Sequence, residues 1–251
     1  MSPQTKRNTI AFVVLSFLLF ALASTRLTAK PSSDLAVENM VAKSGVHYLL
    51  LKPADSVDVS FEIQRPQKSQ AEVLACIPAA FSSKKGGISG FYAYGGEPYN
   101  IPTMDRAISG AIEFTNGKIS IFDTNRGALI NDELLKKLKR NKSSMFQQFQ
   151  LVKDGHPEPF HDKSNYQRRC IAIMNNGKNA FIESDESITM TEFANDLAEL
   201  GVANAVYTDM GPWDEGWYRN PENGKIVVIG HDRLLTGRQT NWAVFRRPSA
   251  K

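Results

Sequence analysis

The chain has 251 residues, 42% of them apolar and 10% aromatic, with 30 Lys and Arg against 26 Asp and Glu. That balance is too apolar and too weakly charged for a disordered chain, and two cysteines are too few for a disulfide-stapled miniature fold or a four-thiolate zinc site. The formal charge of +4 is scattered apart from Lys136-Lys137-Leu138-Lys139-Arg140-Asn141-Lys142, so no nucleic-acid partner is expected.

At the N-terminus, Lys6 and Arg7 precede an unbroken apolar run from Ile10 to Ala23. As a helix that run is roughly 21 Å long, short of the ~30 Å hydrocarbon core of a bilayer. With Ala21-Leu22-Ala23 at its end, the pattern predicts a secretory signal peptide over residues 1–23; the alternative is an uncleaved anchor, which would be the chain's membrane contact. The expected location is periplasmic or secreted. Without Lys6 and Arg7 the formal charge falls from +4 to +2. In an oxidising compartment Cys76 and Cys170 either form a disulfide or remain two small buried residues. Residues 24–43 are polar and read as a leader, and residues 44–251 as one domain.

Strand signals dominate that domain. Val46–Leu51 and Val57–Ile63 are β-branched or alternating. Three segments carry hairpin punctuation: Ala111–Thr115 turning at Asn116-Gly117 into Lys118–Phe122, Cys170–Ile173 turning at Asn176-Gly177 into Asn179–Ile182, and Trp217–Arg219 turning near Asn223-Gly224 into Ile226–Ile229. Asn-Gly supplies the two positive-φ positions of a type I′ turn, so each is expected to close that way. Two helices are marked. Asn131 caps one, whose Leu134, Leu135 and Leu138 form an apolar stripe and whose basic residues gather at the C-terminal end, which accounts for the Lys/Arg run. Thr189-Met190-Thr191-Glu192 is a capping box opening the other, with Phe193, Leu197 and Leu200 at helical spacing and Gly201 as its stop. The expected class is α+β, with a mixed, largely antiparallel sheet flanked by a few helices.

The densest chemistry lies after the second helix. Ala205-Val206-Tyr207 reads as a short strand that ends at Asp209 and breaks at Gly211-Pro212. A carboxylate at a strand end opening into an irregular loop is how a rigid scaffold presents a reactive group. Trp213, Asp214, Glu215, Trp217, Tyr218 and Arg219 follow. Trp faces stack on sugar rings while Asp, Glu and Arg bind hydroxyls or phosphates; the alternative is that both Trp pack in the core and the charges are solvated. In Gly155-His156-Pro157-Glu158-Pro159-Phe160-His161-Asp162 the prolines prevent a helix, so the two-His geometry of a zinc protease is ruled out and an exposed loop is expected, with no metal. Gly87-Ile88-Ser89-Gly90-Phe91 has Phe where a nucleophile elbow needs Gly, and Ser82-Ser83-Lys84-Lys85 lacks the companion motifs of penicillin-recognising enzymes. Neither a P-loop nor a dinucleotide fingerprint is present, and no cofactor is expected.

Order and spacing from about Val73 to Arg246 resemble the phosphodiester glycosidase domain family, which includes an enzyme that removes N-acetylglucosamine from a sugar phosphodiester and bacterial proteins associated with exopolysaccharide. The segments that carry the resemblance are Ala79-Ala80-Phe81 before a Gly-rich loop, Phe149–Gly155, the Arg-led strand Arg168–Ile173, and the helix, Gly201 and strand leading into Asp209-Met210-Gly211. Two positions depart from the pattern: Met210 stands for the first Gly after the Asp, and Ile77-Pro78-Ala79-Ala80-Phe81 lacks the polar Asn. The resemblance implies hydrolysis of a sugar-1-phosphodiester at the anomeric carbon of a carbohydrate substrate. It implies Asp209 as the carboxylate acting at the sugar and Arg169 as the cation holding phosphate. Asp214 or Glu215 would be a second carboxylate, and Gly211, Trp213, Trp217 and Arg219 substrate-binding groups. The competing expectations are a non-catalytic glycan-binding or envelope-assembly protein on the same fold, and a metal-dependent hydrolase using the His156–Asp162 loop.

Overall fold

Short apolar runs punctuated by turn residues build three antiparallel sheets. A computed structural model of the protein describes residues 34–83, 86–101, 108–210 and 215–248. The first sheet orders its strands β1 (Leu35–Val41), β2 (His47–Pro53), β13 (Asn179–Ile188), β12 (Tyr166–Met174), β14 (Val202–Tyr207), β10 (Gln150–Lys153) and β11 (His156–Pro157). The second runs β16 (Ile226–Ile229), β15 (Gly216–Arg219), β4 (Val73–Pro78), β17 (Trp242–Arg246) and β3 (Asp58–Glu62). The third runs β6 (Glu97–Tyr99), β5 (Tyr92–Tyr94), β9 (Ser144–Gln148), β7 (Gly110–Thr115) and β8 (Lys118–Asp123). Every pairing between these strands is antiparallel. The fold is therefore β-dominated rather than evenly mixed, with two α-helices among the described residues, α1 (Asp132–Asn141) and α2 (Met190–Glu199).

All three Asn-Gly hairpins form, but they close differently. At Asn116-Gly117 both residues have positive φ (50° and 74°), and Thr115 pairs directly with Lys118. At the other two only Gly177 and Gly224 enter the left-handed region. There the Asn side chains instead accept the backbone N–H two residues on, Asn176 from Lys178 at 3.0 Å and Asn223 from Lys225 at 3.0 Å. These are longer loops with one left-handed glycine, not type I′ turns. The polar stretch read as a leader contains β1, which pairs along its whole length with β2. Its alternation is masked because it is an edge strand and buries little. Residues 1–23, the expected signal segment, lie outside the described residues. Among those described, no helix is long and apolar enough to cross a membrane.

Both helices follow their caps. Asn131 accepts the N–H groups of Glu133 and Leu134, and Leu138 is the residue α1 buries. Thr189 and Glu192 complete the reciprocal capping box, and α2 buries Phe193 and Leu197 over β10, β11, β14 and β13. Strand alternation divides the first sheet between two cores. Ile171, Phe181 and Val206 face an interior shared with Phe61 and Ile77 of the second sheet and Phe146 of the third. Cys170, Ile182 and Tyr207 face α2.

The sheets meet tightly at Gly110. A Cβ there would lie 2.8 Å from both the Gln148 carbonyl oxygen and the Gln150 nitrogen, where the chain passes from β9 to β10. Backbone cannot yield as a flexible side chain does, so Gly110→Ala is expected to destabilise by about 1–3 kcal/mol. A lower urea midpoint at unchanged slope would show it.

Candidate functional site

The register of β12 against β14 sets the site. Cys170 pairs with Tyr207, and the Thr208 N–H donates to the Arg169 carbonyl at 3.2 Å, which continues the ladder by one residue. Paired residues share a face, so Arg169 and Thr208 point to the interior between sheets. Arg168 lies on the α2 face with Tyr207, whose hydroxyl it meets, and Asp209 stands two residues beyond the end of β14. At Asp209 the chain then changes sheets, because its N–H donates to the Ala79 carbonyl just beyond β4, at 2.8 Å.

Asp209 is only 4% exposed. Its Oδ2 accepts the Ser82 N–H at 2.7 Å and its Oδ1 the Met210 N–H at 2.9 Å. Burial pushes its carboxyl up to about 7, against the pull of the Ser82 and Met210 hydrogen bonds and the Arg169 charge. A carboxyl poised there exchanges a proton at neutral pH. Ser82 is held in turn: its hydroxyl donates to Gln239 Oε1 at 2.9 Å. Asn241, fully buried, clamps the adjoining peptide by accepting the Ala80 N–H at 2.6 Å and donating to the Ala80 carbonyl at 3.0 Å. Neither Gln239 nor Asn241 was a sequence-derived candidate. They lie 30 residues or more downstream of Asp209 on the chain, and only the β4–β17 pairing brings them to it.

Beside Asp209 a pocket of about 510 Å³ opens between Phe81, which precedes Ser82, and Met210. Phe149, Phe160, Tyr166 and Tyr207 add an aromatic wall, Met190 lies at the start of α2, and His161, Asp162 and Arg168 supply the polar groups. Asp209 adjoins this pocket through its neighbour Met210, whose sulfur accepts the Tyr207 hydroxyl. Arg168 is 3% exposed. Its Nε donates to the Ile188 carbonyl at 2.9 Å, Nη1 to the Tyr207 hydroxyl at 3.1 Å and Nη2 to the Ser164 carbonyl at 2.6 Å. All three acceptors are neutral. Its carboxylate partner, Asp162, stands 3.7 Å away and is more than half exposed. Asp162 is held below the usual carboxylate range by the Ser164 hydroxyl and N–H and stays ionised. Burial pushes the Tyr207 phenol up to about 12, against the lowering charge of Arg168, so it remains a neutral hydroxyl.

Several expected site residues are placed elsewhere. Arg169, expected to hold phosphate, is 0% exposed and commits Nε (2.9 Å) and Nη2 to Glu183 Oε2, with Phe181 under its guanidinium at 5.7 Å. It does not line the aromatic pocket, whereas Arg168, one residue earlier on β12, does. Trp217 is fully buried on β15 against Cys76, Trp242 and Val244, so it cannot stack on a sugar. Arg219 donates to the carbonyls of Val73, Gly224, Lys68 and Gln70 and fastens a turn. Glu215 pairs with Arg65 at 2.5 Å and Lys68 at 2.9 Å, which, against its burial, hold it below the usual range as a neutralised carboxylate. Gly211, Trp213 and Asp214 lie outside the described residues. Cys76 and Cys170 are both free, in separate core clusters, with burial raising both thiols, Cys76 to about 12. The disulfide is not formed. His156 sits on β11 and His161 at the pocket, and among the described residues no group of three His, Cys, Asp or Glu is placed to hold a metal. A more polar pocket of about 680 Å³, lined by Gln167, Glu183, His47, His231 and Arg233 among others, opens elsewhere; Asp209 itself lines neither pocket and reaches the aromatic one through Met210.

No family model matches the chain, and no curated protein does. Among solved structures it is similar to the catalytic domain of zebrafish N-acetylglucosamine-1-phosphodiester alpha-N-acetylglucosaminidase, auto-inhibited by its pro-peptide. The TM-score is 0.56 at 13% identity, covering 89% of this chain and 85% of that one. It is also similar to a hypothetical protein from Synechocystis, with a TM-score of 0.51 at 12% identity over 85% of this chain and 62% of that one. At such identities the likeness is one of fold: the chain shares, distantly, the architecture of a phosphodiester glycosidase domain.

Proposed function

We propose that the chain is an exported hydrolase that cleaves a sugar-1-phosphodiester, with Asp209 as its working carboxylate and Arg168 as the cation that receives the phosphate. The observation that carries this reading is a buried carboxyl poised near pH 7, next in the chain to a residue lining the pocket into which Arg168 projects. Arg168 is a buried guanidinium whose carboxylate partner is exposed and 3.7 Å away. The ionised Asp209 takes a proton from water as the water oxygen bonds to the anomeric carbon. The bond from that carbon to the phosphate oxygen breaks, and the electron pair leaves on the phosphate. That leaving group is already a weak base, so it needs a cation more than a general acid. The distant likeness of fold supports the same reaction class. The apolar run ending at Ala23 supports export.

Because the ionised form of Asp209 is the active one, kcat/KM is expected to rise with pH to a plateau, with a midpoint near 7. A limb centred near 4 would mean that burial does not govern this carboxyl. The binder reading has one observation in its favour: Met210 lies between Asp209 and the pocket, its sulfur engaged by Tyr207. Turnover of a panel of sugar-1-phosphodiesters by the full chain decides between them. Absence of cleavage by folded protein that still binds glycans would establish the binder.

A further inference from the structure

The composition of the pocket beside Asp209 says more about the substrate than the reaction class does. Resting on the reading that Arg168 receives the phosphate, we infer that the group esterified to the far side of that phosphate is apolar, an alkyl or aryl chain, and not a second sugar. Sugar-binding clefts surround hydroxyls with polar side chains. Here the wall is Phe81, Phe149, Phe160, Tyr166 and Tyr207 with Met190 at its edge. The rings hold one another edge-on: Phe149 contacts Phe81 at 6.0 Å and Phe160 at 6.3 Å, and Phe81 contacts Tyr207 at 5.9 Å. The pocket's polar lining is His161, Asp162, Arg168 and two Tyr hydroxyls, of which Tyr207 is already engaged by Arg168 and Met210. Apolar surface therefore outweighs the donors and acceptors left for a sugar's hydroxyls.

Within that wall the one buried charge is Arg168. Its hydrogen-bond acceptors are neutral, and its second Nη1 hydrogen has no acceptor among the described residues. A guanidinium so placed favours an anion that replaces lost hydration. Asp162, more than half exposed, 3.7 Å away and held by the Ser164 N–H and hydroxyl, offsets its charge only in part. The ligand that satisfies both features is an amphiphile, a phosphate head on Arg168 with an apolar tail along the rings. The volume of about 510 Å³ suits a medium-length chain or an aryl group.

The test is calorimetric titration of the full chain with hexyl phosphate, methyl phosphate and hexanol. Hexyl phosphate is expected to bind about tenfold or more tightly than methyl phosphate, because each buried methylene adds affinity, and hexanol to bind weakly for want of the charge. Arg168→Gln should weaken hexyl phosphate about tenfold or more, and Phe149→Ala should narrow the hexyl-to-methyl ratio while leaving methyl phosphate unchanged. Where Phe149→Ala proves unfolded, Phe160→Leu at the pocket edge is read the same way. Equal binding of the two phosphates by the wild-type protein overturns the inference, as does hexanol binding as tightly as hexyl phosphate. These are binding readouts, independent of cleavage. Sugar-1-phosphodiesters cleaved without a tail preference would sink this inference alone, and a tail preference without any cleavage would sink only the hydrolase.

Discussion

Asp209→Asn is expected to lower turnover of a sugar-1-phosphodiester by about 10²–10⁴-fold while the protein stays folded. The substitution is nearly isosteric, and the Asn carbonyl can still accept one of the two N–H groups, from Ser82 or Met210, that hold the carboxylate. What it loses is the base. The same change has a signature in stability. Burial moves the Asp209 carboxyl from its ordinary 3.8 to about 7. Between those values the native state therefore binds more protons than the unfolded chain. Its contribution to stability is greatest at acid pH and declines as pH rises to about 7. The Asn variant cannot titrate, so that component of the decline should vanish from urea midpoints taken at pH 5 and pH 8. A folded Asn variant with full turnover would remove Asp209 from the chemistry. One with unchanged pH dependence would mean the carboxyl is not strained by burial.

The carboxylate was legible because the segment leading to it is local, although the Ala79 and Ser82 contacts that hold it are not. A capping box, a helix of the right length, Gly201 as stop and a short strand deliver the chain to Asp209 in one continuous segment. The hairpins at Asn116, Asn176 and Asn223 were legible for the same reason, although the loop geometry of the last two was not, since Asn side-chain bonding competes with the left-handed conformation. The cation was not legible. Two adjacent arginines point to opposite faces, and a bulge between Gln167 and Arg169 shifts the register just where alternation would be counted. Trp217 and Arg219 carry the residue types of a sugar site, but residue type does not reveal that β15 is enclosed between β4 and β16. Nor does composition reveal Asn241 and Gln239, which reach the site only through the pairing of β17 with β4. Binding machinery assembled from distant strands is a property of topology, and topology is what a single sequence states least directly.

The separation of roles between the two arginines leads to the largest expected effect on stability. Arg169→Met would leave Glu183, 4% exposed, with the Gln167 amide at 3.1 Å as its side-chain hydrogen-bond donor among the described residues. Breaking a buried pair from one side costs about 3–5 kcal/mol, because the stranded charge keeps its desolvation penalty without its partner. The double variant Arg169→Met, Glu183→Met is expected to recover most of that loss, since two apolar side chains of similar volume need no counter-charge. Urea unfolding of the two variants tests this directly. A single variant as stable as wild type would mean the pair is solvated and Arg169 free to move toward a substrate. A second consequence separates a positioning role from a merely structural one. Arg169 lowers the Asp209 carboxyl through its charge. In the double variant that pull is gone, so the midpoint of the kcat/KM profile should move above 7. The maximal rate at high pH should survive, because neither Asp209 nor Arg168 has been altered. A double variant that loses its rate at every pH, while folded, would instead place Arg169 at the substrate. An upward shift with the plateau intact would establish that one arginine of the adjacent pair sets the proton affinity of the carboxylate while the other, on the opposite face of the same strand, meets the anion.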